Sequence, residues 1–177
     1  IEKYYSNLFA ENYIQTPEKD INNAFRNALV TLEYNWLKPY GWNECMHHWL
    51  ALWHMQHSPA AEWIGQQDRS LECMQTHLEK LLPNGAIPDL AAGGFVRRDW
   101  GGSNQFFLWQ VRHYWQFTGD KKFITDIAPA LDKIIQQTQD EYDIDRDGLL
   151  SWGLQIGNQE DFVCTPYSGT APTVEWI

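Results

Sequence analysis

No apolar run in this chain approaches the roughly 20 residues that a membrane-spanning helix needs, and no cationic cluster offsets its acids. Thirteen Lys and Arg stand against 23 Asp and Glu, giving a formal charge of −10 and a pI near 4.9. Phosphate backbones are held by clustered Lys and Arg. Nucleic acid is therefore not an expected partner, and neither is an anionic membrane surface. Cysteine is scarce: Cys45, Cys73 and Cys164 lie far apart and form no CxxC pair. Buried free thiols are expected, rather than a disulfide framework or a zinc site. GxSxG, P-loop and dinucleotide fingerprints are missing too, so no cofactor is expected. No period-two alternation persists long enough to compete with helix. The opening IEKYYSNLFA has neither an initiator Met nor a signal-peptide core and reads as part of a longer gene product, with the compartment left open.

What is present is enough for one core. At 177 residues, 44% hydrophobic and 20% charged, a single domain is expected. Ten Trp beside 8 Tyr and 8 Phe are unusual in so acidic a chain. Most should pack the interior, but a few suit the flat apolar faces of sugars. Residues 1–15 read as a polar, tyrosine-rich lead-in. Thr16-Pro17-Glu18 then starts a helix, with Ile21, Phe25, Ala28, Leu29, Leu32 and Trp36 at helical spacing, and Pro39-Tyr40-Gly41 stops it. A second helix is predicted over about 43–57. A third follows over about 59–82 from the start signal Ser58-Pro59. Ser103 caps a fourth, over about 104–118, and Gly119-Asp120 separates it from a fifth that runs to about Tyr142, with Pro129 as a break or restart. Residues 172–176 look like the beginning of a sixth. The fold class is all-α, built from antiparallel helical hairpins.

Two connections are too long to be routine. Residues 83–104 and 143–173 exceed the roughly 12–15 residues beyond which loops tend to be functional. If consecutive helices are antiparallel, the connections after the first, third and fifth emerge at one end, and the short turns at Ser58-Pro59 and Gly119-Asp120 lie at the other. The loop-rich end then gathers Trp42, Asn43 and Glu44, then Arg98, Asp99 and Trp100, then Trp152, Glu160, Asp161 and Tyr167. A face lined by aromatic rings and polar groups on a helical scaffold is what a binding site requires.

The series TPEKDINNAF, GWNE, PNGAIPD, RRDW, TGDKKF and DIDRDGLL, in this order, resembles the (α/α)6 toroid glycoside hydrolases of the glucoamylase, α-rhamnosidase, glycogen-debranching and trehalase-like group. The resemblance covers about residues 16–177. It implies an inner and an outer ring of twelve helices with the active site at the loop-rich end, this chain supplying the N-terminal half. The remainder of the toroid would come from further chain or from another chain. It further implies carboxylate acid/base hydrolysis of an oligo- or polysaccharide, with inversion as the expected outcome. The proton donor is expected in or beside the loop after the DxDGL turn, where Glu160 and Asp161 match. That loop has neither the ESGxD run of trehalases nor the tandem Glu pair of glucoamylases, so both acids stand as candidates.

Glycoside hydrolysis needs an acid kept protonated near neutral pH and a second carboxylate across the sugar. Glu160 and Asp161 are like charges beside Phe162 and Val163, which could keep one of them protonated, although a capping or solvated pair has the same composition. Asp99 between Arg98 and Trp100 suits sugar hydroxyls and equally a loop-anchoring ion pair. Glu44 is a favourable first-turn acid whatever its role. Asp143, Asp145, Asp147 and Gly148 open like a calcium loop, but its twelfth position is Leu154, so an Asp-stabilised turn is expected. His47, His48, His54 and His57 form no zinc motif. A polysaccharide lyase or sugar epimerase on the same scaffold is the alternative enzyme, and a carbohydrate-binding helical module the non-catalytic one.

Overall fold

The structure, a computed structural model, describes residues 1–42, 57–87, 103–143, 146–152 and 174–176. They form six α-helices and two short antiparallel strand pairs, so the chain is mostly helical. The lead-in is itself a helix, α1 (Glu2–Glu11). Tyr5, Leu8 and Phe9 share one face by their spacing, and Leu8 is buried.

Helix α2 (Lys19–Asn35) begins two residues after the predicted Pro17 start. Thr16 braces it from outside: its hydroxyl accepts from Glu18 N–H at 3.2 Å, and the Asn22 side chain bonds both its backbone N–H and its carbonyl. The helix also ends before the predicted Pro39 stop. Trp36–Leu37 (β1) pairs instead with Gly41–Trp42 (β2), and the two indoles meet with centroids 4.7 Å apart. Cross-strand aromatic pairs favour extended backbone here. The predicted stripe is only partly covered, since Leu29 and Leu32 are buried but Ile21 is 51% exposed.

The single helix expected over 59–82 is two, α3 (Ser58–Trp63) and α4 (Gln67–Glu79). Gly65, at φ +82°, takes the left-handed conformation. Its N–H reaches Glu62 O at 3.1 Å, while Gln66 N–H reaches Ala61 O at 2.9 Å. This pairing of backbone bonds is a Schellman stop. Helix α5 (Ser103–Thr118) matches its prediction, and Asp120 caps α6 (Lys121–Tyr142) by accepting from Phe123 N–H at 3.0 Å. Pro129 breaks nothing. It is on the exposed side of α6, where the carbonyl deprived of its helical partner can turn to water. The sixth helix expected at 172–176 is corrected to a strand: Val174–Trp176 (β4) pairs antiparallel with Leu150–Trp152 (β3). Val and Trp favour strands when a partner edge is available.

The main core lies between α4, α5 and α6, where Met74, Ile87, Phe107, Val111, Tyr114, Phe123, Ile127 and Ile134 are buried together. A second cluster, Leu32, Trp42, Ala61 and Cys73, joins α2, the β2 strand, α3 and α4. These contacts set the helix directions. Ile87, beyond the end of α4, bonds Asn104 at the start of α5, and Asn104 in turn bonds the last third of α6. Helix α5 is therefore antiparallel to both α4 and α6. The path from Glu33 at Arg69 to Pro39 at Thr76 runs in the same sense as α4.

Candidate functional site

Helices α4 and α6 leave the body at one end, and α5 enters it there. The turn Gly119-Asp120 closes the opposite end. Ile87 and Ser103, the described residues flanking the segment that carries Arg98, Asp99 and Trp100, lie at the first end, as does the exit of α6 toward Glu160 and Asp161. Asn43, Glu44, Arg98, Asp99, Trp100, Glu160, Asp161 and Tyr167, with all but the last residue of the predicted helix over 43–57, lie outside the described residues. Trp152 is described only as a strand residue opposite Val174.

Asn104 organises this end. Its Nδ2, with two hydrogens to share, lies within hydrogen-bond distance of Gly85 O (3.2 Å), Ile134 O (3.2 Å), Gln137 Oε1 (2.7 Å) and Thr138 Oγ1 (3.1 Å), while its Oδ1 accepts from Ile87 N–H at 2.8 Å. One fully buried side chain thus ties three elements where the long connections begin. Gly85 lets them close up: at φ +94°, a Cβ on it would stand 2.3 Å from Lys133 O. The exit turn after α6 is stitched by acids, with Gly148 N–H donating to Asp143 and Leu149 N–H to Asp147 Oδ1 at 2.8 Å. Among the described residues no group of His, Cys, Asp or Glu is arranged to hold a metal ion.

Trp42 is the one predicted sugar contact whose side chain is described, and it is 0% exposed. It packs on Trp36 and stacks on His57 with centroids 6.3 Å apart, and its buried Nε1 has no partner among the described residues. In this arrangement its ring faces protein, and it positions the start of the segment holding Asn43 and Glu44.

Sequence reasoning missed a buried polar seam between α3, α4 and α5. Gln110 Nε2 donates to Ser58 Oγ at 2.5 Å, and Ser70 Oγ donates to Ser58 O at 3.3 Å. Cys73 is a free buried thiol, pushed up to about 12 by burial, with Gln110 opposing that shift. It is therefore no nucleophile. His77 Nδ1 is 2.7 Å from Cys73 O and must donate to it, since a carbonyl only accepts. Glu62, 1% exposed, is pushed up to about 7 by burial, with hydrogen bonding from Ser70 opposing the shift. That is the protonation a general acid needs, but Glu62 is at the wrong end. Its charge adds to burial in raising the Tyr114 hydroxyl, ten residues along α5 from Asn104 and so about 15 Å from it by helical rise. The signal was available: Glu62 falls on the same face of α3 as Ser58, four residues earlier.

No protein-family model matches this chain, and no curated protein or solved structure matches it either. Among the described residues no helix is long and apolar enough to cross a membrane.

Proposed function

We propose that the chain is part of an (α/α)6 glycosidase domain that hydrolyses an oligo- or polysaccharide with carboxylate acid/base catalysis. One observation carries most of this reading. The exits of α4 and α6 and the entry of α5 are knotted together by Asn104, so two long segments bearing Arg98, Asp99, Trp100, Glu160 and Asp161 depart from one end of the helix stack. The order of sequence motifs and the acidic, Trp-rich composition fit the same reading. In the proposed site Arg98, Asp99 and Trp100 hold the sugar, with Trp152 and Tyr167 beside it, and Glu160 or Asp161 donates the proton to the leaving oxygen. Trp42 fixes the approach of Asn43 and Glu44.

The test is turnover of a panel of oligosaccharides by the full-length protein and its Glu160→Gln and Asp161→Asn variants. At least one variant should lose activity by 10³-fold or more, on the order expected for a missing catalytic acid, with unchanged circular dichroism and retained ligand binding. Wild-type rates in both would remove these residues from the mechanism.

A further inference from the structure

The elbow between α3 and α4 encloses a carboxyl group that has no cationic partner among the described residues. Among the described residues neither oxygen of Glu62 makes a hydrogen bond of full geometry, and only the Ser70 hydroxyl lies close enough to favour its charged form, although the residue is 1% exposed. From α4 it is faced by Ser70, whose hydroxyl donates to Ser58 O. From α5 it is faced by Tyr114, whose hydroxyl donates to Asp120 at 3.3 Å, so the next acid is already engaged. Among the described residues no Lys, Arg or His pairs with it. A carboxylate in such a place would carry an uncompensated charge, and a carboxylic acid would not. Burial accordingly pushes Glu62 up to about 7.

The joint beside it is a glycine held by the two Schellman hydrogen bonds, from Gly65 N–H to Glu62 O and from Gln66 N–H to Ala61 O. Gly65 has a left-handed φ of +82° and nothing within 4 Å of the position a Cβ would take. On the other side, α3 carries Ala61 against Trp42 and Cys73, and Ser58 against Gln110. Whatever loosens α3 therefore uncovers Trp42.

We propose that the α3–α4 elbow is a proton-operated latch, shut over Trp42 while Glu62 is a neutral acid and loosened at Gly65 when Glu62 ionises. The shut state binds a proton that the loosened state gives up. Its advantage is complete below the ordinary carboxyl value of 4.5 and is lost as pH rises toward about 7, levelling off above that. The latch stands on its own residues and does not depend on the hydrolase reading.

The experiment is hydrogen exchange of the 58–66 amides in the full chain between about pH 5 and pH 8, corrected for the intrinsic pH dependence of exchange. Wild-type protection should fall by about tenfold or more up to neutrality, each unit of pKa difference being worth a factor of ten, while the α5 and α6 amides keep theirs. Glu62→Gln should abolish this dependence, and Glu62→Leu should do so with higher protection throughout, which keeps the test decisive should the Gln variant fold poorly. Parallel profiles in wild type and the neutral variants, or a loss shared equally by all helices, would overturn the latch.

Discussion

Glu33 is the polar anchor of α1. Its carboxylate accepts a two-pronged contact from Arg69 at 2.9 and 3.0 Å, the Tyr4 hydroxyl at 2.5 Å and Gln66 Nε2 at 2.5 Å, so α1, α2 and the start of α4 meet on one group. Burial by itself would raise the carboxyl, but the hydrogen bonds from Arg69, Tyr4 and Gln66 outweigh it and hold it below its ordinary 4.5. A depressed carboxyl contributes stability that is present above its unfolded value and lost as pH falls through the folded one. The wild-type melting temperature should therefore drop on acidification below about pH 4.5, and Glu33→Gln should show a shallower acid limb. At neutral pH the same variant should cost about 3 kcal/mol, because Arg69 is left only 16% exposed with no counter-charge. Asn104→Ala removes two donated hydrogens, shared among four buried acceptors, and the acceptor of Ile87 N–H, and should cost about 2–3 kcal/mol, read as a lower urea midpoint at constant slope. Neither residue declared itself in the sequence. Glu33 looked like any solvated acid on a helix, and Asn104 like any polar residue after a cap, because their value comes from partners 17 to 36 positions away.

At the scale of elements, periodicity located most helices, and backbone chemistry determined where they stop. The stretch 103–118 and the Gly119-Asp120 junction were legible because capping is local. Gly65 was equally local, a left-handed stop inside an apolar stripe that otherwise reads as one long helix. The strand at 174–176 was not legible, since three residues carry no period and its partner is 24 positions upstream. The two positive-φ glycines near α4 make opposite demands. Gly65→Ala meets no neighbour and should cost only the left-handed strain, about 1–2 kcal/mol. Gly85→Ala drives a methyl into the Lys133 carbonyl at the junction that Asn104 ties, and should cost about 3 kcal/mol or more. Equal losses in chemical denaturation would mean that the close approach at Gly85 does not hold α6 against the end of α4.

For the whole molecule, charge separates the two enzyme readings. A chain at −10 repels polyanions over about 10 Å at 0.1 M salt and over only about 3 Å at 1 M. An uncharged oligosaccharide feels none of this, so a hydrolase acting on neutral sugars should show kcat/KM nearly independent of ionic strength. A lyase removes a proton beside a carboxylate, so its substrates are polyuronates, and their encounter with this surface should speed up several-fold as salt screens the repulsion. Measuring kcat/KM on neutral oligosaccharides and on a polyuronate across that salt range, with the product inspected for an unsaturated sugar, decides between them. A flat profile on neutral substrate with saturated products agrees with the hydrolase site proposed at the Asn104 end. A salt-accelerated reaction on polyuronate that yields unsaturated ends would transfer the chemistry to a base that abstracts a carbon-bound proton, and Glu160 and Asp161 would lose their proposed role.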